Sequence, residues 1–473
     1  MQITERGQNA TGQGDVAHLH DGRPTSRSAG GWSVGLSTLM LASAAAAGGP
    51  TYDGFELQAR SNIVDGFNLP ANSSFNSGTP AIADDGRVSI RLLSIGGAGV
   101  SGIWAGPGNG SGGVALNLND PDRFAGDVVF GPGGIYFEIF DVFTDGIWRL
   151  NPLGSFDQVL APGGPFGFNQ YSGPGPLDDG RIGVRGGSFN GNRWVIGGAG
   201  TPISLVSASD AGVGFLFVPA TNPAGRLAGK IRLGSTAGSD PDQIRRYDLD
   251  GTFVVLAEDD DGDPSAPFSG FDNGVSITDN GAVAFIASLV GGGRGVFLAN
   301  DTGITTIATT ADPLLGAISF FRPDLNDAGT VVFRGTDAAG LDAVFVGDGG
   351  PLLRLVGEHD VLPTDLGPAR IDQNDGAVTF GGAPRMNAAG DVVFAATLTP
   401  PDNNQIEWGT GLFVARAAPA GNRADVNGDG SVDFQDLLAV LAGFGGSDPD
   451  LDVDEDGTVG FSDVLAVLAA WGT

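Results

Sequence analysis

The sequence predicts an all-β protein: a seven-bladed β-propeller whose last blade is closed by both termini, followed by a small α-helical calcium-binding domain. Three observations carry this. A strand-forming motif recurs seven times, the runs missing from its last copy lie ahead of the first, and an acidic loop is duplicated near the C-terminus. Composition agrees. Among 473 residues there are 81 Gly and 28 Pro, which suits many tight turns rather than long helices. No G-X-Y period is present, and 41% of residues are hydrophobic, which argues against both collagen and disorder. Cysteine is absent, so disulfides and thiolate chemistry are excluded. With 24 basic and 55 acidic side chains the net charge is −31, which disfavours nucleic acid and anionic lipid as partners and favours cations.

The first element is an expected secretory signal over residues 1–47. Arg23 and Arg27 precede an apolar run at 32–41 (WSVGLSTLML), and Ala45 and Ala47 fit a small-residue cleavage site before Gly48. The run is shorter than the ~18–20 residues of a membrane span, so a secreted, extracellular or cell-surface product is expected, with no membrane span.

The repeat follows, over 53–416. An Asn/Asp-rich turn and a glycine precede an alternating apolar strand in ADDGRVSI (83–90), LDDGRIGV (177–184), TDNGAVAF (278–285), LNDAGTVVF (325–333) and MNAAGDVVF (386–394). Weaker copies are FAGDVVF (124–130) and TNPAGRLAG (221–229). The anchor glycines are Gly86, Gly126, Gly180, Gly225, Gly281, Gly329 and Gly390, at a mean period of roughly fifty residues. Further short runs follow each anchor, such as GVF at 295–297, ITTIAT at 304–309 and GAISFF at 316–321. Four such runs per unit describe one propeller blade. The last copy holds only two of them, at 392–398 and 411–417; the other two are expected from FELQARSNIV at 55–64 and a segment near 75–82. Such closure removes open sheet edges. The anchor motif itself reads as scaffold, because the turn needs a positive φ that Gly adopts cheaply.

An Ala/Pro/Gly linker at 417–424 leads to residues 425–473, which carry eleven acidic side chains and no basic one. Two copies of one motif stand 27 residues apart, DVNGDGSVDFQDLLAVLAGFG from Asp425 and DVDEDGTVGFSDVLAVLAAWG from Asp452. Alternate positions of a tight loop supply oxygens to a hard dication, with a turn glycine at position 6. The ligands of one ion are then Asp425, Asn427, Asp429, Ser431, Asp433 and Asp436. Those of a second are Asp452, Asp454, Asp456, Thr458 and Asp463, with Gly460 offering no side chain at position 9. Behind the loops, Leu437, Leu438, Val440, Leu441 and Phe444, and their counterparts Val464, Leu465, Val467, Leu468 and Trp471, predict two helices packed face to face.

These paired loop–helix repeats resemble a type I dockerin domain. The resemblance covers about a tenth of the chain, and it implies calcium binding and docking onto a cohesin-like module, commonly in polysaccharide-degrading systems. Loop positions 10 and 11 depart from that family's polar pairs, being Phe434-Gln435 and Phe461-Ser462.

For catalysis the sequence offers little. His359 is the one histidine after the signal, and in GEHD it reads as a surface residue; Glu258, Asp259, Asp260, Asp261 and Asp263 read as a solvated acidic turn. Phe166, Phe168, Tyr171 and Trp408 are candidates for stacking on sugars. The expected function is a secreted, non-catalytic propeller that binds a ligand and docks through its calcium module. The alternative is a polysaccharide-active hydrolase or lyase acting on O-glycosyl bonds with the propeller as catalytic domain.

Overall fold

The computed structural model describes residues 50–75, 78–141, 145–164, 166–188, 191–234, 240–374, 379–418, 424–427, 431–454 and 456–471. The expected signal at 1–47 lies outside them. Alternation of apolar and polar residues, broken by Gly, Asn and Asp, yields 33 strands among these residues, gathered into seven antiparallel sheets. Each sheet is a blade. The innermost strands run from Ala81–Ile82 in blade 1 through Phe124–Gly131, Gln170–Pro176, Ala220–Thr221, Ser276–Ile277 and Asp324–Leu325 to Phe380–Met386 in blade 7. Each lies against the next, and the seventh lies against the first, so the ring is closed around a channel.

The anchors turn the chain from the innermost strand into the second. Six behave as expected, but Gly126 does not. Residues 124–131 are the inner strand of blade 2, and Gly133 makes its turn. With that correction the seven anchor glycines all have φ between +78° and +92°, where a Cβ would be strained, and Gly86, Gly133 and Gly180 are equally spaced. Neighbouring turns also bond to each other. Asn222 Nδ2 donates to the Thr278 carbonyl at 2.9 Å, the Asp279 amide to Asp327 at 2.8 Å, and the Ala388 amide to Asp84 at 2.8 Å, this last across the seam between blades 7 and 1.

Closure of the last blade comes from β1 (Tyr52–Ser61), which pairs antiparallel with Gly409–Ala417. The second expected closing run does not take part. Ala81 pairs with Ser89, so the segment ending at Ile82 is the inner strand of blade 1. The reason is one of phase: an anchor-to-anchor repeat contains three strands of one blade and the inner strand of the next. The seam is pinned by Arg60 of β1, whose buried guanidinium forms a bidentate pair with Asp365 at 2.8–2.9 Å and donates to the Trp408 carbonyl at 2.8 Å. Tyr52 Oη donates to the Gly390 carbonyl at 3.1 Å.

Apolar cores lie between blades. In blades 5, 6 and 7 the second and third strands face each other with stacked rings: Phe285 on Phe297, Phe333 on Phe345, and Phe394 on Phe413, each with centroids 5.6 Å apart. Beyond the propeller, α1 (Phe434–Gly443) and α2 (Phe461–Ala469) form where the sequence predicts them.

Candidate functional site

The channel is built by the inner strands, whose short apolar and glycine-rich sequences leave room at the axis. It encloses a cavity of about 1090 Å³. At one mouth the anchor turns bring Asp84, Asp178, Asp279 and Asp327 together; burial, then these neighbours, raise the Asp279 carboxyl above its ordinary value. Deeper, the wall carries charged groups in pairs. Arg91 Nε lies 3.1 Å from Asp127, and Arg385 Nη1 lies 3.4 Å from Asp324, which also accepts the Met386 amide at 2.9 Å.

Behind the inner strands runs a second set of charges that sequence reading missed. The residue five places after each anchor glycine is Arg91, Glu138, Arg185, Lys230, Ile286, Arg334 and Ala395 in blades 1 to 7. Five of these are charged, and each reaches the inner strand of the following blade. Arg185 Nη1 donates to the Leu216 carbonyl at 3.3 Å, Lys230 Nζ to that of Phe271 at 2.8 Å, and Arg334 Nη1 to that of Gly382 at 2.7 Å. Glu138 accepts the Gly173 amide at 3.1 Å, and Arg91 meets Asp127. Burial pushes Arg334 down to about 10. The signal was available: a charge at the same position in five of the seven second strands marks a side chain that must find a partner.

The tail gathers its predicted residues differently. Val432, Val440, Val459, Val464 and Val467 form a small core together with Ala424. At each helix N-terminus a fully buried carboxylate accepts backbone amides of its loop. Asp436 takes those of Asn427 (3.1 Å) and Asp433 (2.8 Å), while Asp463 takes those of Val453 (2.6 Å), Asp454 (3.0 Å) and Gly460 (2.5 Å). Burial raises the Asp463 carboxyl, but these amides outweigh it and hold it below the ordinary value. Oxygens of Asp452, Asp454 and Asp463 all lie within 4.8 Å of one another. Asp456 instead folds back to accept the Thr458 amide and hydroxyl at 2.9 and 2.7 Å. In the first loop Asp433 caps α1 by accepting the Gln435 amide at 2.7 Å; Asp425 and Ser431 flank the loop, and Asp429 lies outside the described residues.

The helix faces overturn one expectation. Val440, Val464 and Val467 pack inward, but Leu438, Leu441 and Phe444, with Leu465, Leu468 and Trp471, are exposed, and so are Phe434 and Phe461. A two-helix unit this small has one buried side per helix, and the valines fill it.

Other candidates resolve into structure. His359 adopts φ +74° with its ring half exposed, 3.7 Å from Asp372 and 3.9 Å from Glu358. The 258–263 segment is not wholly solvated, since Asp259 is buried and accepts the Asp242 amide at 3.0 Å. Phe168 and Tyr171 are core residues, and Trp408 packs against the blade 7 core.

A match to the family of unknown function DUF7453 spans residues 222–467, from the anchor turn of blade 4 into α2. The chain belongs to this family. Among curated proteins, none matches the sequence of this DUF7453 member. Its similar solved structures include a puromycin hydrolase, 12% identical with a TM-score of 0.48, the match covering 73% of this chain and 53% of the hydrolase. A streptogramin B lyase is 16% identical with a TM-score of 0.43, the match covering 78% of this chain and 99% of the lyase. The β-propeller domain of the Trilobed protease from Pyrococcus furiosus is 15% identical with a TM-score of 0.42, covering 59% and 81%. No helix of this DUF7453 member, among the described residues, is long and apolar enough to cross a membrane.

Proposed function

We propose that this is a secreted, non-catalytic propeller that holds a ligand in its channel and is attached to a partner module by its calcium-organised tail. The observation that carries the reading is the duplicated apolar stripe on the tail. Phe434, Leu438, Leu441 and Phe444 on the first repeat, and Phe461, Leu465, Leu468 and Trp471 on the second, are 46–67% exposed at the same positions 27 residues apart. Exposed apolar surface repeated in this way serves recognition, not the fold of the tail itself. The partner suited to it is a cohesin-like module with an apolar face.

Calcium fits the residues beneath the stripes. Asp452, Asp454, Asp456, Thr458 and Asp463 would hold one ion, and Asp425, Asn427, Asp429, Ser431 and Asp436, with Asp433 through water, the other. The acidic oxygens within 4.8 Å of one another in the second loop form the hard, flexible donor set that calcium takes. Bound calcium would neutralise these carboxylates and so fix the helices that display the stripes.

Calorimetry of the full chain tests the tail: two calcium ions are expected, one lost on Asp436→Ala and the other on Asp463→Ala. A stoichiometry indifferent to both substitutions sinks the calcium reading. Turnover of any member of a polysaccharide panel, with or without calcium, sinks the non-catalytic one.

A further inference from the structure

The inner strand of blade 6 is interrupted. Leu315–Ile318 and Asp324–Leu325 both pair with Val331–Asp337, but between them Phe320, Phe321 and Arg322 leave the ladder and line the channel. The corresponding breaks of blades 4 and 5 carry Phe217-Val218-Pro219 and Asp272-Asn273-Gly274-Val275.

Arg322 differs from the other channel arginines. Arg87 pairs with Asp85 at 2.8 Å, Arg91 with Asp127, and Arg385 with Asp324. The Arg322 guanidinium makes no hydrogen bond or ion pair with any described side chain or carbonyl. Asp324 and Asp127 act on it only through space, and burial, the larger effect, pushes it below the ordinary arginine range. Its stem is nevertheless held: a Cβ added at Gly274 of blade 5 would sit 2.9 Å from the Arg322 Cβ, so only glycine lets the two blades meet there. Arg322 lines the cavity partly buried, with guanidinium donors that no described residue takes, so they are open to a ligand. Beside it Phe321 packs under Arg334, but Phe320, touched on one face by Arg294 at 4.2 Å, is 79% exposed.

We propose that the channel binds a small ligand carrying a carboxylate next to an apolar ring, with the carboxylate on Arg322 and the ring against Phe320. The inference rests on the reading of the propeller as a ligand-binding platform and gives that ligand its chemical class. A planar carboxylate matches the guanidinium fork through two parallel hydrogen bonds. The neighbouring Asp324 and Asp127 select a monoanion over a dianion such as a phosphate monoester, because each extra negative charge is repelled at short range. The cavity has the size and mixed lining of a small-molecule site.

The test uses the full chain and four probes in calorimetry: benzoate, its uncharged isostere benzamide, phenyl phosphate and acetate. Benzoate should bind at least about tenfold more tightly than benzamide, the contribution of a charge-assisted hydrogen bond. It should also exceed phenyl phosphate and acetate. Arg322→Gln should abolish the preference for benzoate and leave benzamide binding unchanged. Its melting temperature should not fall, since the guanidinium holds nothing in the fold. Arg322→Lys, which keeps the charge but loses the fork, should retain part of the preference. Phe320→Ala should weaken benzoate and benzamide alike. Equal binding of benzoate and benzamide, a preference for phenyl phosphate, or benzoate binding indifferent to both Arg322 substitutions overturns the proposal while leaving a ligand-binding platform intact. Chemical turnover of a bound probe overturns the platform reading instead.

Discussion

The propeller and the tail solve the same problem with opposite materials. Each blade buries rings and branched aliphatics, as where Phe333 stacks on Phe345, and a charge buried behind an inner strand, such as Arg334, finds its partner on the next blade. The tail does the reverse: it buries Asp436 and Asp463 completely and leaves Phe434, Phe461 and Trp471 at the surface. The contrast teaches that burial is not a measure of hydrophobicity alone. A carboxylate that accepts two or three backbone amides can organise a loop that has too little apolar area to organise itself. Order in the propeller therefore rests on apolar packing, and order in the tail rests on buried carboxylates and the backbone amides they accept.

Breaking the seam should have the largest effect. Removing residues 50–61 takes away the strand that completes blade 7 and opens the ring, and the melting temperature should fall by more than ~10 °C. Truncation from Asp425 onward should leave that melting temperature unchanged; equal shifts in scanning calorimetry would erase the distinction between the two regions. Next is Arg60→Ala, which strands Asp365 and uncovers the Trp408 carbonyl at a cost of about 3–5 kcal/mol in denaturant titrations. Of intermediate size, Lys230→Met should cost about 2 kcal/mol. It leaves the Phe271 carbonyl unpartnered, but Asp242 keeps Arg232 at 2.8 Å. A substitution without effect would mean that the buried charges behind the inner strands do not join blades.

The smallest effect is alkaline. Burial, and then Asp391, raise the Tyr52 hydroxyl above its ordinary value, so the folded state favours the neutral form. The stability it contributes is complete below pH ~10, where the unfolded phenol begins to ionise, and is lost as the pH rises further. Tyr52→Phe should flatten this part of the stability profile, as followed by fluorescence melts, by less than about 1 kcal/mol near pH 9.

Much of this was legible in the sequence, for reasons that particular residues make plain. Gly281 and Gly329 announce their turns because Asn or Asp precedes them and an alternating strand follows. Gly126 misled because it sits in a strand, while the real turn at Gly133 lies in a glycine-proline run without the acidic signature. The segment near Ile82 was given to the wrong blade because repeats read from an anchor cannot reveal which neighbour takes the fourth run. Valines and leucines of the tail share one helical pattern, so the sequence predicts helices, but only packing tells that Val440 faces in and Leu441 out. Arg322 was silent for a different reason. It belongs to no repeat, and its significance is the lack of a hydrogen-bonding neighbour, which spacing does not encode.

The offset between repeat and blade bears on how such a ring grows. Arg185 and the Leu216 carbonyl lie between the same two anchor turns, and so do Lys230 and Phe271, Glu138 and Gly173, Arg91 and Asp127, and Arg334 and Gly382. What a duplication bounded by anchor turns copies is therefore a finished joint between blades, with both of its halves. Inserting or excising such a segment changes the number of blades while keeping each of these five contacts whole, so the unit that can be added is the joint rather than the blade.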